Sequence, residues 1–390
     1  MTLAFGRSIK LGVAIGLSAL LLNSPSQADE LLPTATVARI FSQVSQSPSL
    51  ADPAMLLIDK KTSEVVFEKS ADSLREPASV LKILSAAIAL DYLGPEGRFE
   101  TRISLGEVPR TIFLQGSFDP WMGNGSTESA KLGRISLPRI GSQILSAVDR
   151  QSGFAVKSLV AYYSEFYSVD LATLGKYFRS KGVTAKFLPL PASLSVNEGR
   201  TVIFNGVSPT VSAMAEFALT WSDNFLANRL AERAGRAAGF SMSAAGVKSA
   251  MEALLLKLQI DSSGLNIKDG SGLSKQNRVS ARMVGQLLLK IREDKKYSAI
   301  YDGLPVAGLT GTLKDRFFST SPEGIGLVHA KTGTLNGTVS LAGYVDAGDR
   351  EYIFVVIADK IKKGSSATHQ ARNTLDKLMG KIASPLFVAR

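Results

Sequence analysis

The sequence predicts an α+β protein built on one antiparallel sheet of five strands. This prediction rests on three observations: a helix and a hairpin near the amino-terminal end, helical patterns in the middle, and three strands with a final helix at the carboxyl-terminal end. The terminal segments can pair into one sheet, with the first and last helices on one face and the middle helices on the other. With 390 residues, of which 45% are apolar, the chain can bury a large core.

The first 28 residues predict an export signal. Arg7 and Lys10 provide a basic start, residues 11–22 form a short apolar run, and residues 26–28 (S-Q-A) fit a cleavage site. The run is too short to span a bilayer comfortably, and no later stretch is apolar enough to do so. We therefore expect an exported protein, periplasmic or associated with the cell wall, with no transmembrane segment in the mature chain.

The mature chain begins with a predicted amphipathic helix at 35–46. A hairpin follows, with strands at Ala54–Asp59 and 64–69. Nearly every residue from 77 to 90 is apolar or small, which predicts one helix that is buried on all sides.

Residues 99–205 differ in character from their surroundings. Short β-rich runs alternate there with segments rich in Gly, Pro and Ser, with a loop at 123–133 and a single predicted helix at 171–181. This pattern predicts a smaller β-rich domain inserted into a main domain that comprises residues 29–98 and 206–390.

The carboxyl-terminal half returns to the main domain. A glycine-rich loop at 269–274 (D-G-S-G-L-S) interrupts its helices, and the dipeptide Asn336-Gly337 is a strong hairpin signal. The predicted helices and strands are 212–220, 225–238, 245–258 and 281–292, then strands 326–334, 338–345 and 351–359, and a helix at 366–382.

Composition narrows the chemistry that is available. The chain has no cysteine, which excludes disulfides and thiol catalysis, and its two histidines, His329 and His369, cannot form a three-histidine zinc site. The formal net charge of +11 favours polyanionic partners, but no basic cluster with interleaved aromatic residues indicates nucleic-acid binding. We expect no metal, no cofactor and no nucleic-acid partner.

Ser79 and Lys82 share one face of the buried helix, because they are three residues apart. Lysine is rarely buried without a partner. An amine held against a hydroxyl can activate serine as a nucleophile without histidine. The alternative is a capping serine beside a lysine that extends its amine to the surface.

Two further motifs are weak when taken singly. Residues 222–224 (S-D-N) precede a helix, where such residues are typical caps. Residues 331–334 (K-T-G-T) lie on a strand that leads into the Asn336-Gly337 hairpin, where lysine and glycine could simply protect a sheet edge. They do not form a phosphate-binding loop, because Ala330 replaces the glycine that should precede the lysine.

Taken together and in this order, S-x-x-K, S-D-N and K-T-G resemble the signature of penicillin-binding proteins and class A β-lactamases. Segments 269–274, 304–308 (L-P-V-A-G) and 340–345 narrow the resemblance to the D-alanyl-D-alanine carboxypeptidase/endopeptidase family, the class C low-molecular-mass penicillin-binding proteins of the penicillin-binding protein 4 type. The long interval between Ser79 and Ser222 also resembles that family. One departure is Phe118, which replaces a glycine that is usual in a turn of the family.

The resemblance implies a β-lactamase/DD-peptidase-like fold and a serine-type D-Ala-D-Ala carboxypeptidase and/or endopeptidase that acts on peptidoglycan stem peptides. It implies an acyl-enzyme on Ser79 and β-lactam antibiotics as covalent inhibitors. Lys82 would be the general base, if burial and repulsion from Lys331 lower its pKa, and Ser222 would protonate the leaving amine. The implied substrate-binding residues are Asn224 for the peptide backbone, Lys331, Thr332 and Thr334 for the terminal carboxylate, and Gly333 for close approach of the strand. Backbone N–H groups of Ser79 and Thr334 would form the oxyanion hole.

Two alternatives remain open. A class A-like β-lactamase needs a glutamate to activate water, but no glutamate between Asn224 and Lys331 lies in an E-x-x-L-N context, so we expect slow hydrolysis of penicillin. A non-catalytic penicillin-sensing or wall-binding protein could keep the same fold. For His329, a structural or substrate-adjacent role is favoured over a catalytic one.

Overall fold

The computed structural model describes residues 32–125, 133–190 and 201–383. The predicted export signal at 1–28 lies outside the described residues. The helices are α1 (Thr34–Ser45), α2 (Lys82–Leu93), α3 (Leu137–Ser152), α4 (Ser168–Ser180), α5 (Val211–Thr220), α6 (Asn224–Ala237), α7 (Ala244–Lys257), α8 (Ala281–Ile291), α9 (Ser298–Gly303) and α10 (Ser365–Ala383). The strands are β1 (Ala54–Asp59), β2 (Val65–Lys69), β3 (Glu100–Leu105), β4 (Thr111–Gln115), β5 (Met122–Gly123), β6 (Ile135–Ser136), β7 (Ser158–Ser164), β8 (Thr184–Pro189), β9 (Val202–Val207), β10 (Val328–Leu335), β11 (Thr338–Ala347) and β12 (Arg350–Ala358).

The main sheet has the order β10-β11-β12-β1-β2, and every neighbouring pair is antiparallel. The amino-terminal hairpin joins the carboxyl-terminal strands through the pairing of β1 with β12. Asn336 and Gly337 connect β10 to β11, and Gly337 adopts a φ of 99°, which glycine tolerates best. The predicted five-stranded antiparallel sheet is confirmed.

The two faces of this sheet are covered by different helices, as predicted. Alternate residues of a strand point to opposite faces. Leu56 and Ile58 of β1 pack in the cluster that contains α2 and helices α5–α8. Met55 and Leu57 pack in a second cluster with apolar residues of α1 and α10.

The predicted helix at 77–90 is wrong in one detail that matters for the site. Ala78 has a φ of 48°, in the left-handed region, so an α-helix cannot begin there. Instead a 3-10 turn spans Ala78–Leu81, and α2 continues from Lys82 to Leu93. Ser79 therefore lies in the tight turn, and Lys82 is the first residue of a helix that is buried from Lys82 to Leu90.

A second sheet, of order β8-β7-β4-β3-β9, lies between Glu100 and Val207. It is mixed, because β4, β7 and β8 are parallel, and α3 and α4 contribute to its apolar cluster. Parallel neighbours need crossover connections, which these helices provide. The sequence indicated a β-rich segment with one helix at 171–181, which corresponds to α4, and missed α3, whose apolar positions are separated by Pro, Gly and Ser. We propose that these strands and helices form the inserted domain predicted at 99–205, and that 29–98 and 206–390 form the main domain.

Phe118, the departure from the family pattern, has a φ of 52°. This left-handed conformation explains why glycine suits the position. Its ring packs edge-on against Tyr167 at 5.3 Å, which holds the turn in place. Within the part of the chain that the structure describes, no helix is both long and apolar enough to cross a bilayer.

Candidate active site

Lys82 and Ser79 meet at the junction of the 3-10 turn and α2. The Lys82 Nζ atom lies 2.9 Å from Ser79 Oγ, and the lysine is only 1% exposed. The alternative of a lysine that extends to the surface is therefore wrong. The tight turn places the hydroxyl directly against the amine, which is the arrangement that nucleophilic activation requires.

Two other oxygens surround the amine of Lys82. Its Nζ atom lies 2.7 Å from Asn224 Oδ1 and 2.6 Å from the carbonyl oxygen of Ser271. Both oxygens can only accept hydrogen bonds, whereas the hydroxyl of Ser79 can also donate. A neutral amine has two N–H groups and one lone pair, so its two protons go to Asn224 and Ser271. When Lys82 is neutral, its lone pair is then left facing the Ser79 hydroxyl, whereas the protonated amine can donate to all three oxygens.

Burial lowers the pKa of Lys82 from 10.5 to about 8, although the carboxylates of Asp269 and Asp223 oppose the shift. Lys82 and Lys331 also repel each other, and this repulsion disfavours having both amines charged. Burial, with this repulsion added, lowers the pKa of Lys331 well below its ordinary value. Desolvation thus makes Lys82 available as a base near neutral pH.

Acylation of Ser79 is expected to accelerate as pH rises from 6 and to level off above about 8. Only neutral Lys82 can accept the proton, and a pKa of about 8 leaves about a tenth of it neutral at pH 7. Acylation rates with fluorescent penicillin from pH 6 to 9.5 measure this profile. A rate that is flat or falls across this range would contradict a lysine base.

The loop at 269–274 supports Lys82 from the other side. Asp269 Oδ1 accepts hydrogen bonds from the backbone N–H groups of Ser271 and Gly272, both at 2.7 Å, and Oδ2 accepts one from that of Ser274. Burial raises the pKa of Asp269, but these hydrogen bonds outweigh it and the net shift is downward. Sequence reasoning noted the loop without giving it a role. The pattern of an aspartate followed by Ser and Gly is the signal that indicates such a carboxylate-held turn.

The S-D-N segment is both a helix cap and part of the site. Asp223 caps α6, accepting from the backbone N–H of Leu226 at 2.8 Å, while Asn224 is the first helical residue and contacts Lys82. Ser222 has a φ of 57°, a strained conformation for a residue with a side chain. The cap therefore fixes the backbone on both sides of Asp223, and with it the directions of the Ser222 and Asn224 side chains.

Arg134, which directly precedes β6, stabilises this cap. Arg134 Nη2 lies 2.5 Å from Asp223 Oδ2, and its guanidinium stacks over Trp121 at 5.2 Å. Arg134 is buried. Sequence reasoning missed it because Arg134 and Asp223 are 89 residues apart.

Arg134→Ala is expected to slow acylation about tenfold, equivalent to about 1.4 kcal/mol. Asp223 would lose the cation that orients it, and Ser222 and Asn224 would shift with it. Stopped-flow acylation with penicillin gives the rate, and Arg139→Ala, at an exposed arginine of α3, is the matched control. An unchanged rate in Arg134→Ala would show that the ion pair does not position the site.

Strand β10 contributes both buried residues and cavity-lining residues to the site. Lys331 is fully buried, and its Nζ atom donates to the carbonyl oxygen of Thr332 at 3.0 Å. A side chain at Gly333 would collide with Ser340 Oγ, 2.1 Å from its first carbon, which explains the glycine. Thr332 and Thr334 instead line a cavity of about 220 Å³.

This cavity brings together both predicted serines. Its lining residues are Ser79, Ser222, Thr312, Arg316, Thr332, Thr334 and Arg372. Lys82 and Asn224 lie behind Ser79, and Lys331 and Gly333 are not among the lining residues. The structure therefore gathers the predicted residues at one place but adds Thr312, Arg316 and Arg372, which sequence reasoning did not single out.

His329 has a different setting. Its ring stacks on Tyr301, with centroids 4.8 Å apart, and burial lowers its pKa. It does not line the cavity. Among residues 32–125, 133–190 and 201–383, no three His, Asp or Glu side chains are grouped so that they could hold a metal ion.

Comparison with known proteins identifies relatives. The model of the D-Ala-D-Ala carboxypeptidase 3 (S13) family matches residues 37–185 and 171–382. The chain is 25% identical over 387 residues to carboxypeptidase DacB of Mycolicibacterium smegmatis, covering 86% of this chain and 82% of that protein.

Two solved structures share the fold. Penicillin binding protein 4 of Haemophilus influenzae superposes with a TM-score of 0.67 at 16% identity, covering 89% of this chain and 99% of the other. Bd3459, a predatory peptidoglycan endopeptidase of Bdellovibrio bacteriovorus, superposes with a TM-score of 0.60 at 18% identity, covering 86% and 94%. The predicted β-lactamase/DD-peptidase-like fold is confirmed.

Proposed function

The chain belongs to the D-Ala-D-Ala carboxypeptidase 3 (S13) family, and from this premise we propose that Ser79 carries its serine-peptidase chemistry through an acyl-enzyme. The observation that supports this role best is the set of three oxygens around Lys82 Nζ. Two of them can only accept hydrogen bonds from the amine, so the third, the hydroxyl oxygen of Ser79, is the one that can give its proton to the amine.

Acylation begins with proton transfer from Ser79 to Lys82. Neutral Lys82 takes the proton of Ser79 as Oγ attacks the carbonyl of the penultimate D-alanine. Backbone N–H groups of Ser79 and Thr334 stabilise the oxyanion, each such donor contributing about 2.7–4 kcal/mol. The C–N bond breaks as Ser222 passes on to the departing amine the proton that Lys82 took, which leaves Lys82 neutral again, while Asn224 holds the substrate backbone. Neutral Lys82 then takes a proton from water as the water attacks the ester, and it returns that proton to Ser79 Oγ as the shortened peptide leaves.

The proposed substrate is a peptidoglycan stem peptide that ends in D-Ala-D-Ala. The family description and the name of the Mycolicibacterium relative support carboxypeptidase activity, and the Bdellovibrio structure supports an endopeptidase activity on cross-links. Such substrates lie outside the cytoplasm, which agrees with the export signal predicted at 1–28 and with a periplasmic or wall-associated location. β-Lactams resemble D-Ala-D-Ala and are the proposed covalent inhibitors.

A β-lactamase is the second candidate, and the site does not favour it. The glutamates between Asn224 and Lys331 are Glu232, Glu252, Glu293 and Glu323, and none of them lines the cavity. Among the described residues, those that line the cavity include no carboxylate that could activate water, so the penicilloyl adduct on Ser79 should persist.

Labelled penicillin, followed by peptide mapping in a mass spectrometer, tests the assignment of Ser79. We expect one label, on the peptide that contains Ser79, and release of D-alanine from a D-Ala-D-Ala pentapeptide in a parallel reaction. Fast turnover of penicillin would instead indicate a β-lactamase. A stable label without peptide cleavage would indicate a penicillin-sensing protein.

Digestion of purified peptidoglycan then separates the two peptidase activities. Loss of terminal D-alanine from monomers indicates carboxypeptidase activity, and conversion of cross-linked dimers to monomers indicates endopeptidase activity.

A further inference from the structure

A guanidinium group that the acylation steps do not use faces the catalytic cavity. Arg372 lies in α10, at the opposite end of the chain from Ser79, and lines the same cavity as Ser79 and Ser222. Its Nη2 atom donates to Thr334 Oγ1 at 2.9 Å. The positively charged Arg372 side chain therefore lies beside β10, the strand that the family resemblance assigns to substrate binding.

Arg372 has no carboxylate partner among the described residues, whereas its neighbour Arg316 has one. Arg316 forms two hydrogen bonds with the buried carboxylate of Asp376, which also accepts one from Thr320. Arg316 further donates to the carbonyl oxygen of Arg372, which anchors α10 at this point. Asp376 thus forms an ion pair with Arg316, whereas no carboxylate of the described residues forms one with Arg372, on whose charge Asp376 acts only from further away.

Lys331, the cation first predicted to meet the substrate carboxylate, is placed differently. It is fully buried, bonds to the carbonyl oxygen of Thr332 and does not line the cavity. A guanidinium has five N–H donors, and one bond to Thr334 leaves others for a carboxylate in a paired geometry. The hydroxyls of Thr312 and Thr332, 2.7 Å apart, lie on the wall of the same cavity.

We propose that Arg372 binds the terminal carboxylate of the substrate, with Thr332 and Thr334 as hydroxyl partners, and thereby selects peptides with a free carboxyl end. This inference rests on the proposed peptidase function and assigns its specificity to a residue outside the three motifs. The same cation would receive the carboxylate of penicillin.

The test compares a pentapeptide that ends in D-Ala-D-Ala with the same peptide ending in D-Ala-D-Ala amide. Arg372→Ala is expected to lower kcat/KM for the acid about 30-fold, or about 2 kcal/mol at 1.36 kcal/mol per tenfold, and to leave the slower cleavage of the amide almost unchanged. Arg372→Lys keeps the charge but not the paired geometry, and should recover part of the loss. Lys377→Ala, at an exposed cation of the same helix, is the matched control and should change neither rate.

The outcomes separate the two proposals. Equal losses on acid and amide would show that Arg372 acts only in folding, and an unchanged rate on the acid would show that it does not bind substrate; either overturns the inference. If the wild type cleaves neither peptide, the proposed function fails. The role of Arg372 is then decided by comparing acylation by penicillin with acylation by the methyl ester of penicillin. A loss confined to free penicillin supports the role, whereas an equal loss on both compounds, or no acylation of the wild type by either, overturns it.

Discussion

The Lys82→Met variant is expected to be acylated by penicillin about 1,000-fold more slowly than the wild type, within the range that general-base catalysis contributes. Methionine keeps the length and the apolar stem of the buried side chain but has no lone pair that can take the proton of Ser79. It also leaves Asn224 Oδ1 and the carbonyl of Ser271 without their donor. Stopped-flow rates with fluorescent penicillin, with Tm recorded for each protein, measure the effect.

Three comparisons make this result interpretable. Ser79→Ala should form no adduct at all, because the atom that is acylated is gone. Lys248→Met, at a lysine that pairs with Glu252 within α7, should react like the wild type. If Lys82→Met were acylated within tenfold of the wild-type rate, the base would have to be another residue, and His329→Ala would be the next variant to examine.

Gly272→Ala is expected to lower kcat/KM about 100-fold, because a shift of about 1 Å in a catalytic group can have that consequence. A first side-chain carbon at Gly272 would lie 1.9 Å from the carbonyl oxygen of Ala78, so the turn that carries Ser79 must move. Overpacking of this kind also destabilises a fold by about 1–3 kcal/mol. Peptidase rates and urea unfolding of the same preparation report the two effects.

Gly239→Ala is the matched control for this variant. Gly239 has a φ of 87°, close to the 85° of Gly272, but no atom lies within 4 Å of where its side chain would begin. Both variants place alanine in the left-handed region, at a cost of about 1–2 kcal/mol. Gly239→Ala should lose that stability and keep its activity. Full activity in Gly272→Ala would show that the loop does not position Ser79.

Much of the architecture was predictable because it depends on local patterns. The all-buried strand Ala54–Asp59 and the Asn336-Gly337 turn have the composition of the elements that they form. The course of the chain at Ser79 was less predictable, because the positive φ of Ala78 is imposed by its surroundings and alanine gives no local signal for it. Helix α3 was missed for a related reason, since Pro, Gly and Ser hide the spacing of its apolar residues.

The sequence by itself determined which side chains are the candidates for catalysis: Ser79, Lys82 and Ser222, in a chain without cysteine and with only two histidines. It did not determine the state of those groups. Lys82 meets Asn224 and Ser271, which are 142 and 189 residues away, and its pKa depends on that burial. Likewise Lys331 is enclosed while Arg372 faces the cavity. Only the tertiary structure decides such matters, because solvation and hydrogen bonding of a charge depend on atoms that are distant in the chain.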